Sequence, residues 1–141
     1  MVIFDILNYF PETFPILKVA LCGLVAFSLG ILWYHPMVMG DTLDEVREPH
    51  EITFKPNIFT YIISFGLWMV MACVYSFLTA FLTPPTISAL LGLSTFIWVG
   101  FVLPSIMLNG LYAGRKLMVM AVDSSYILAS LYLFAVIHDV I

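Results

Sequence analysis

The chain has 141 residues, 62% of them hydrophobic and 10% charged, with a formal net charge of -4 and a mean hydropathy of +1.07. Soluble domains are about half apolar and about a quarter charged, so this composition excludes an ordinary soluble fold and calls for lipid as solvent, in a single domain over 1–141. The five Lys and Arg stand almost entirely outside the apolar runs and form no basic stripe, which excludes a nucleic-acid footprint.

Residues 1–14 contain no Lys or Arg, and no small-residue cleavage site follows a short apolar run, so no secretory signal is expected. Ile3, Leu7 and Phe10 recur at helical spacing among Asp5, Asn8 and Glu12, the pattern of a short interfacial helix. Pro11 and Pro15 then punctuate the chain, and Pro15 suits the first turn of a new helix.

Four apolar runs follow, at about 14–39, 57–82, 86–112 and 117–137. About 20 apolar residues cross a bilayer core, so the expected fold is an all-α bundle of four transmembrane helices. These runs are apolar on all sides, whereas barrel strands alternate apolar with polar residues, which argues against a β-barrel. Thr83-Pro84-Pro85-Thr86 and Gly114-Arg115-Lys116 mark two tight connections. Pro104 is expected to kink the third helix and to free a backbone carbonyl.

The long loop reads GDTLDEVREPHEITFKP over 40–56. Thr42 and Glu45 match a helix-capping box, and Pro49 should stop the helix that it starts. Asp41, Asp44, Glu45 and Glu48 share one helical face, read here as solvated because the alternating ligand spacing of a calcium loop is missing. Arg47 and Lys55 fall on the same side as Arg115 and Lys116, while the other side offers Lys18. The positive-inside rule therefore places the 40–56 and 113–116 loops in the cytoplasm, with both termini outside the cell membrane. Cys22 and Cys73 lie in apolar runs and read as small packing residues; this topology puts both in the outer half of the bilayer, which leaves a disulfide open to them.

The first apolar run ends Gly30-Ile31-Leu32-Trp33-Tyr34-His35-Pro36-Met37-Val38-Met39-Gly40, and the third contains Trp98-Val99-Gly100-Phe101-Val102-Leu103-Pro104. With the short basic turn before a Tyr-containing last helix, this pattern resembles the bacterial membrane family DUF1761, from about Gly23 to Ile137. The resemblance implies a four-helix membrane protein of uncharacterised function and carries no catalytic residues with it.

Asp123 is the sharpest single feature, an acid about 9 Å into the last span at about 1.5 Å per residue. Such an acid costs several kcal/mol unless paired or hydrated, so it is expected to face the bundle, with Tyr34, His35, Asn109 and Arg115 as candidate partners. It reads either as a proton or solute site or as a structural hydrogen-bond anchor. Trp33 and Tyr34 suit an aromatic belt. His35 and His138 fall at opposite faces and cannot ligate one haem between them, His50 lies in the long loop, and no His pair has ligand spacing on one helix, so neither a metal nor a cofactor is expected. Small residues spaced for helix contact are Ala26 and Gly30, Gly110 and Gly114, and Ala121, Ser125 and Ala129.

No nucleophile stands beside a base, and no phosphate loop or paired carboxylates occur within a span, which argues against a hydrolase. The favoured role is an interaction or accessory subunit of a homo-oligomer or of an assembly with other membrane subunits, because a thin bundle has little room for both a core and a pathway. A small channel or carrier built around Asp123 is the alternative, and a membrane enzyme or cofactor binder a third.

Overall fold

The computed structural model describes residues 15–35 and 57–141. They form four helices long and apolar enough to cross a membrane: α1 (Ile16–Trp33), α2 (Ile58–Leu82), α3 (Ile87–Tyr112) and α4 (Leu117–Val140). The described residues contain no strand. The chain is thus an all-α multi-pass membrane protein. The expected interfacial helix over 1–14 and the helix expected at Thr42 lie outside the described residues.

Local chemistry sets the ends of these helices. Asn57 caps α2, its Oδ1 accepting from Thr60 N at 3.0 Å and from the Thr60 hydroxyl at 3.1 Å. Pro84 and Pro85 cannot continue α2, and Thr83 before them turns left-handed at φ 45°. Thr86 then caps α3, its Oγ1 accepting from Ala89 N at 3.2 Å.

Pro104 acts differently from a simple kink. The helix widens into a π-turn at Trp98–Val102, in which Leu103 N reaches back to Trp98 O, and Pro104 enters the first turn of the regular helix that resumes. The missing proline N–H is tolerated there because first-turn donors have no helical partner. The Ser105 hydroxyl donates to the Phe101 carbonyl beside the disturbed ladder, and the Trp98 indole N–H donates to Ser124 O at 2.8 Å, tying the π-turn to α4.

Packing centres on α4, which lies between α1 with α2 on one side and α3 on the other. A column of rings runs along it: Tyr126 to Trp68 at 5.4 Å, Trp68 to Phe134 at 6.0 Å, Phe134 to Tyr75 at 5.5 Å, and Tyr75 to His138 at 5.2 Å, all edge-on. Only 11% of the most apolar stretch of α3 is buried against 44% in α4, so α3 is an edge helix. Ile62, Leu67, Phe96 and Phe101 face outward. In lipid this exposure carries no penalty, and association depends on close packing and interhelical hydrogen bonds.

Candidate functional site

Two polar clusters mark opposite ends of α4. At its start, the Tyr34 hydroxyl donates to Asp123 Oδ1 at 2.6 Å, and Arg115 Nη1 stands 3.6 Å from Asp123 Oδ2. The geometry follows from the helix ends. Tyr34 caps α1, Arg115 sits in the turn before α4, and Asp123 lies less than two turns into α4. The short Tyr–carboxylate bond is charge-assisted and strong for its type. The ion pair is longer, and with Arg115 49% and Asp123 23% exposed it contributes under about 1 kcal/mol.

Of the residues expected here, the structure brings together Tyr34, Asp123 and Arg115. His35 is exposed at the same end, where its backbone N closes the last turn on Leu32 O at 3.2 Å. Asn109 is exposed on α3, and the Asp123 carboxylate is held by Tyr34 and Arg115 instead. Trp33 packs against Val119 and Val122, with its indole nitrogen buried and without a hydrogen-bond partner.

We expect Asp123→Asn to leave the fold intact, because an amide oxygen still accepts from Tyr34. Tyr34→Phe should cost about 1–3 kcal/mol, since it strips a partly buried carboxylate of its best donor. Thermal melts of both variants in mild detergent check this ranking, and a Tyr34→Phe protein as stable as the parent contradicts it.

The second cluster escaped the sequence reading. His138 Nε2 lies 2.9 Å from the Ser76 hydroxyl, and Nδ1 lies 2.9 Å from Phe134 O. A carbonyl only accepts, so Nδ1 carries the proton and Nε2 accepts from Ser76. The Cys22 thiol sits 3.8 Å from Nδ1. Nearby, the Tyr75 hydroxyl meets Ser94 Oγ at 2.7 Å, and Ser94 donates to Leu131 O at 3.0 Å. The only hint in the sequence was the presence of hydroxyls within apolar runs, and pairing across three helices has no local spacing. Cys22 and Cys73 are free thiols, and the described residues hold no group of three metal-ligating side chains.

The small residues divide by use. Gly30 and Ala26 admit Tyr126, whose hydroxyl donates to Ala26 O at 2.8 Å. Gly110 admits the Met120 side chain. Gly114 lies beyond the helix at φ 69°, a turn position rather than a helix face. Ala121 and Ser125 point outward, and Ala129 is half-buried.

The Trp33-Tyr34 end of α1, the Trp98–Pro104 break in α3 and the Gly114-Arg115 turn are thus joined around α4. A family model described as Protein of unknown function (DUF1761) matches residues 17–138. The chain belongs to this family. The DUF1761 match covers all four helices nearly end to end, so the Tyr34–Asp123–Arg115 cluster and the His138 cluster both fall within it. No curated protein and no solved structure matches the chain.

Proposed function

We propose that this DUF1761 protein is an interaction subunit that works as a homo-oligomer or within an assembly of other membrane subunits. The observation that carries the reading is the outward face left on the bundle. Ala121 and Ser125 of α4 are exposed, whereas Ala26, Gly30 and Gly110 are taken up inside the chain. Asn109 and Ser105 are also exposed on α3, and an amide directed at lipid is costly until another helix meets it. At Gly92 and Gly100 of α3 an added Cβ would meet open space, so a neighbouring helix can approach closely.

Transport through the Asp123 region is less well supported. Its carboxylate is already engaged by Tyr34 and Arg115. The hydroxyls of Tyr126 and Ser94 donate to backbone carbonyls, which do not pass a proton on.

Ala121→Leu and Ser125→Leu are expected to shift the detergent-solubilised chain toward smaller species while keeping its helicity, as read by light scattering and circular dichroism. A monodisperse monomer as the parent state would falsify the proposal.

The orientation belongs to the same reading: both termini outside, with loops 40–56 and 113–116 in the cytoplasm, supported by the Lys and Arg distribution. Single cysteines introduced at Arg115 and Pro84, in a background lacking Cys22 and Cys73, should separate the two sides. An impermeant reagent applied to intact cells is expected to reach position 84 and not 115; the reverse pattern inverts the topology.

A further inference from the structure

The π-turn of α3 strips one carbonyl of its helical donors. In a regular helix Leu103 N would donate to Val99 O, but it reaches back to Trp98 O instead. The next donor along a π-turn would come from position 104, and proline has no N–H. The Ser105 hydroxyl is spent on Phe101 O. Val99 is 53% exposed, and Gly100 and Pro104 beside it are exposed too, so this carbonyl lies on the lipid side of α3. A carbonyl in hydrocarbon without a donor is costly, and irregular backbone at membrane depth is tolerated where protein covers it.

The chain itself carries a donor at the matching depth. Ser28 of α1 is exposed, and among the described residues its hydroxyl meets no acceptor. The exposed Ser125 hydroxyl, by contrast, is spent on Ala121 O. Ser28 stands twelve residues after Ile16 and Val99 twelve after Ile87, the first residues of two helices that cross in the same direction. Both therefore lie about 18 Å from the same face, at about 1.5 Å per residue. Leu17, Leu24 and Ile31 share the Ser28 face by helical spacing, and all three are exposed. On α3, Gly92, Phe96 and Gly100 recur at a spacing of four, and at both glycines an added Cβ would meet open space. Gly92 and Phe96 line an open apolar groove with Leu82, Ala89 and Leu93. It lies at the depth of Leu24, whose side chain leans toward the start of its helix. α1 and α3 pack on opposite sides of α4, so one copy cannot close this contact within itself.

We propose that copies of this chain join side by side in one orientation, α1 of one copy against α3 of the next. The Ser28 hydroxyl donates to Val99 O across the contact, and Leu24 seats in the groove beside Gly92. Two different surfaces meet in such a contact, so it repeats around a ring when the rotation closes. A shared orientation in the membrane sets the rotation axis along the membrane normal. This inference rests on the self-association read above and adds which surfaces meet.

The test uses the full chain in its membrane, in a background lacking Cys22 and Cys73. Ser28→Cys and Gly100→Cys copies are expressed separately and together, then oxidised. The co-expressed copies are expected to form a disulfide-linked dimer, and neither variant should do so alone. Leu24→Cys with Leu108→Cys is the control pair, because these exposed positions differ in depth by about 20 Å and should not link. Linkage within Ser28→Cys alone makes the contact symmetric and overturns the proposal, while self-association stands. An oligomer by light scattering in which Ser28→Cys and Gly100→Cys do not link overturns it in the same way. A monomeric parent chain removes both readings. Dilution in mild detergent supplies a readout that needs no cysteine. Ser28→Ala should weaken association about threefold, the scale of one interhelical hydrogen bond in a membrane. Association of Ser28→Ala equal to that of the parent overturns the proposal.

Discussion

Phe134→Ala is expected to destabilise the protein by about 3 kcal/mol, the low end of the range for such truncations in soluble cores. Phe134 is fully buried in α4, with its ring edge-on to Trp68 at 6.0 Å and to Tyr75 at 5.5 Å. It therefore joins α4 to α2 at the middle of the ring column. In a membrane the transfer of apolar surface from water contributes little, because lipid tails are as apolar as the core. What remains is dispersion between close-packed atoms, and a cavity forfeits it on every wall. Phe134→Leu should recover much of the loss. Phe96→Ala is the control, because Phe96 is 78% exposed and its loss opens no cavity. Unfolding of the purified protein by denaturing detergent, followed by circular dichroism, measures all three. Equal midpoints for the Phe134 and Phe96 alanine variants would remove the column from the account of stability.

Gly30→Ala is expected to cost about 1–3 kcal/mol by overpacking. An added Cβ would overlap the Tyr126 hydroxyl and lie 2.9 Å from Cζ of the ring. A flexible side chain would move aside, but this phenol is held in three ways. Its hydroxyl donates to Ala26 O at 2.8 Å, and its ring meets Trp68 at 5.4 Å and Tyr34 at 5.6 Å. Moving it loosens the α1–α4 contact and disturbs Tyr34, the donor to Asp123. Tyr126→Phe removes the overlapping oxygen at the cost of about 1 kcal/mol for the hydrogen bond. The alanine at position 30 should then do less harm in the phenylalanine background than in the parent, by about 0.5 kcal/mol or more of coupling. Strict additivity of the two changes would show that the glycine is not there to admit the phenol.

Both sites lie in apolar runs whose residue types alone do not distinguish them from their neighbours. Composition and run length determined that the chain is an all-α membrane protein with four spans, because apolar stretches of about 20 residues have one stable way to satisfy their backbone in lipid. The turn chemistry was equally legible. Pro84 and Pro85 stop a helix by restricting the backbone and Gly114 by its freedom to turn left-handed, local effects that need no knowledge of the fold. Pro104 marked a disturbance in α3, yet the π-turn that absorbs it depends on Trp98 reaching Ser124 of α4. Asp123 stood out by its cost in lipid, and the sequence left four candidate partners open. Which of them meets it was decided by how α1 and the 113–116 turn converge on α4, bringing Tyr34 and Arg115 to the carboxylate and leaving Asn109 outside. The pairing of His138 with Ser76 and the fit of Tyr126 over Gly30 were decided the same way. A run that is hydrophobic all round carries no record of which face turns inward. Lipid accepts every side of such a helix, so only packing between helices selects the one that is buried.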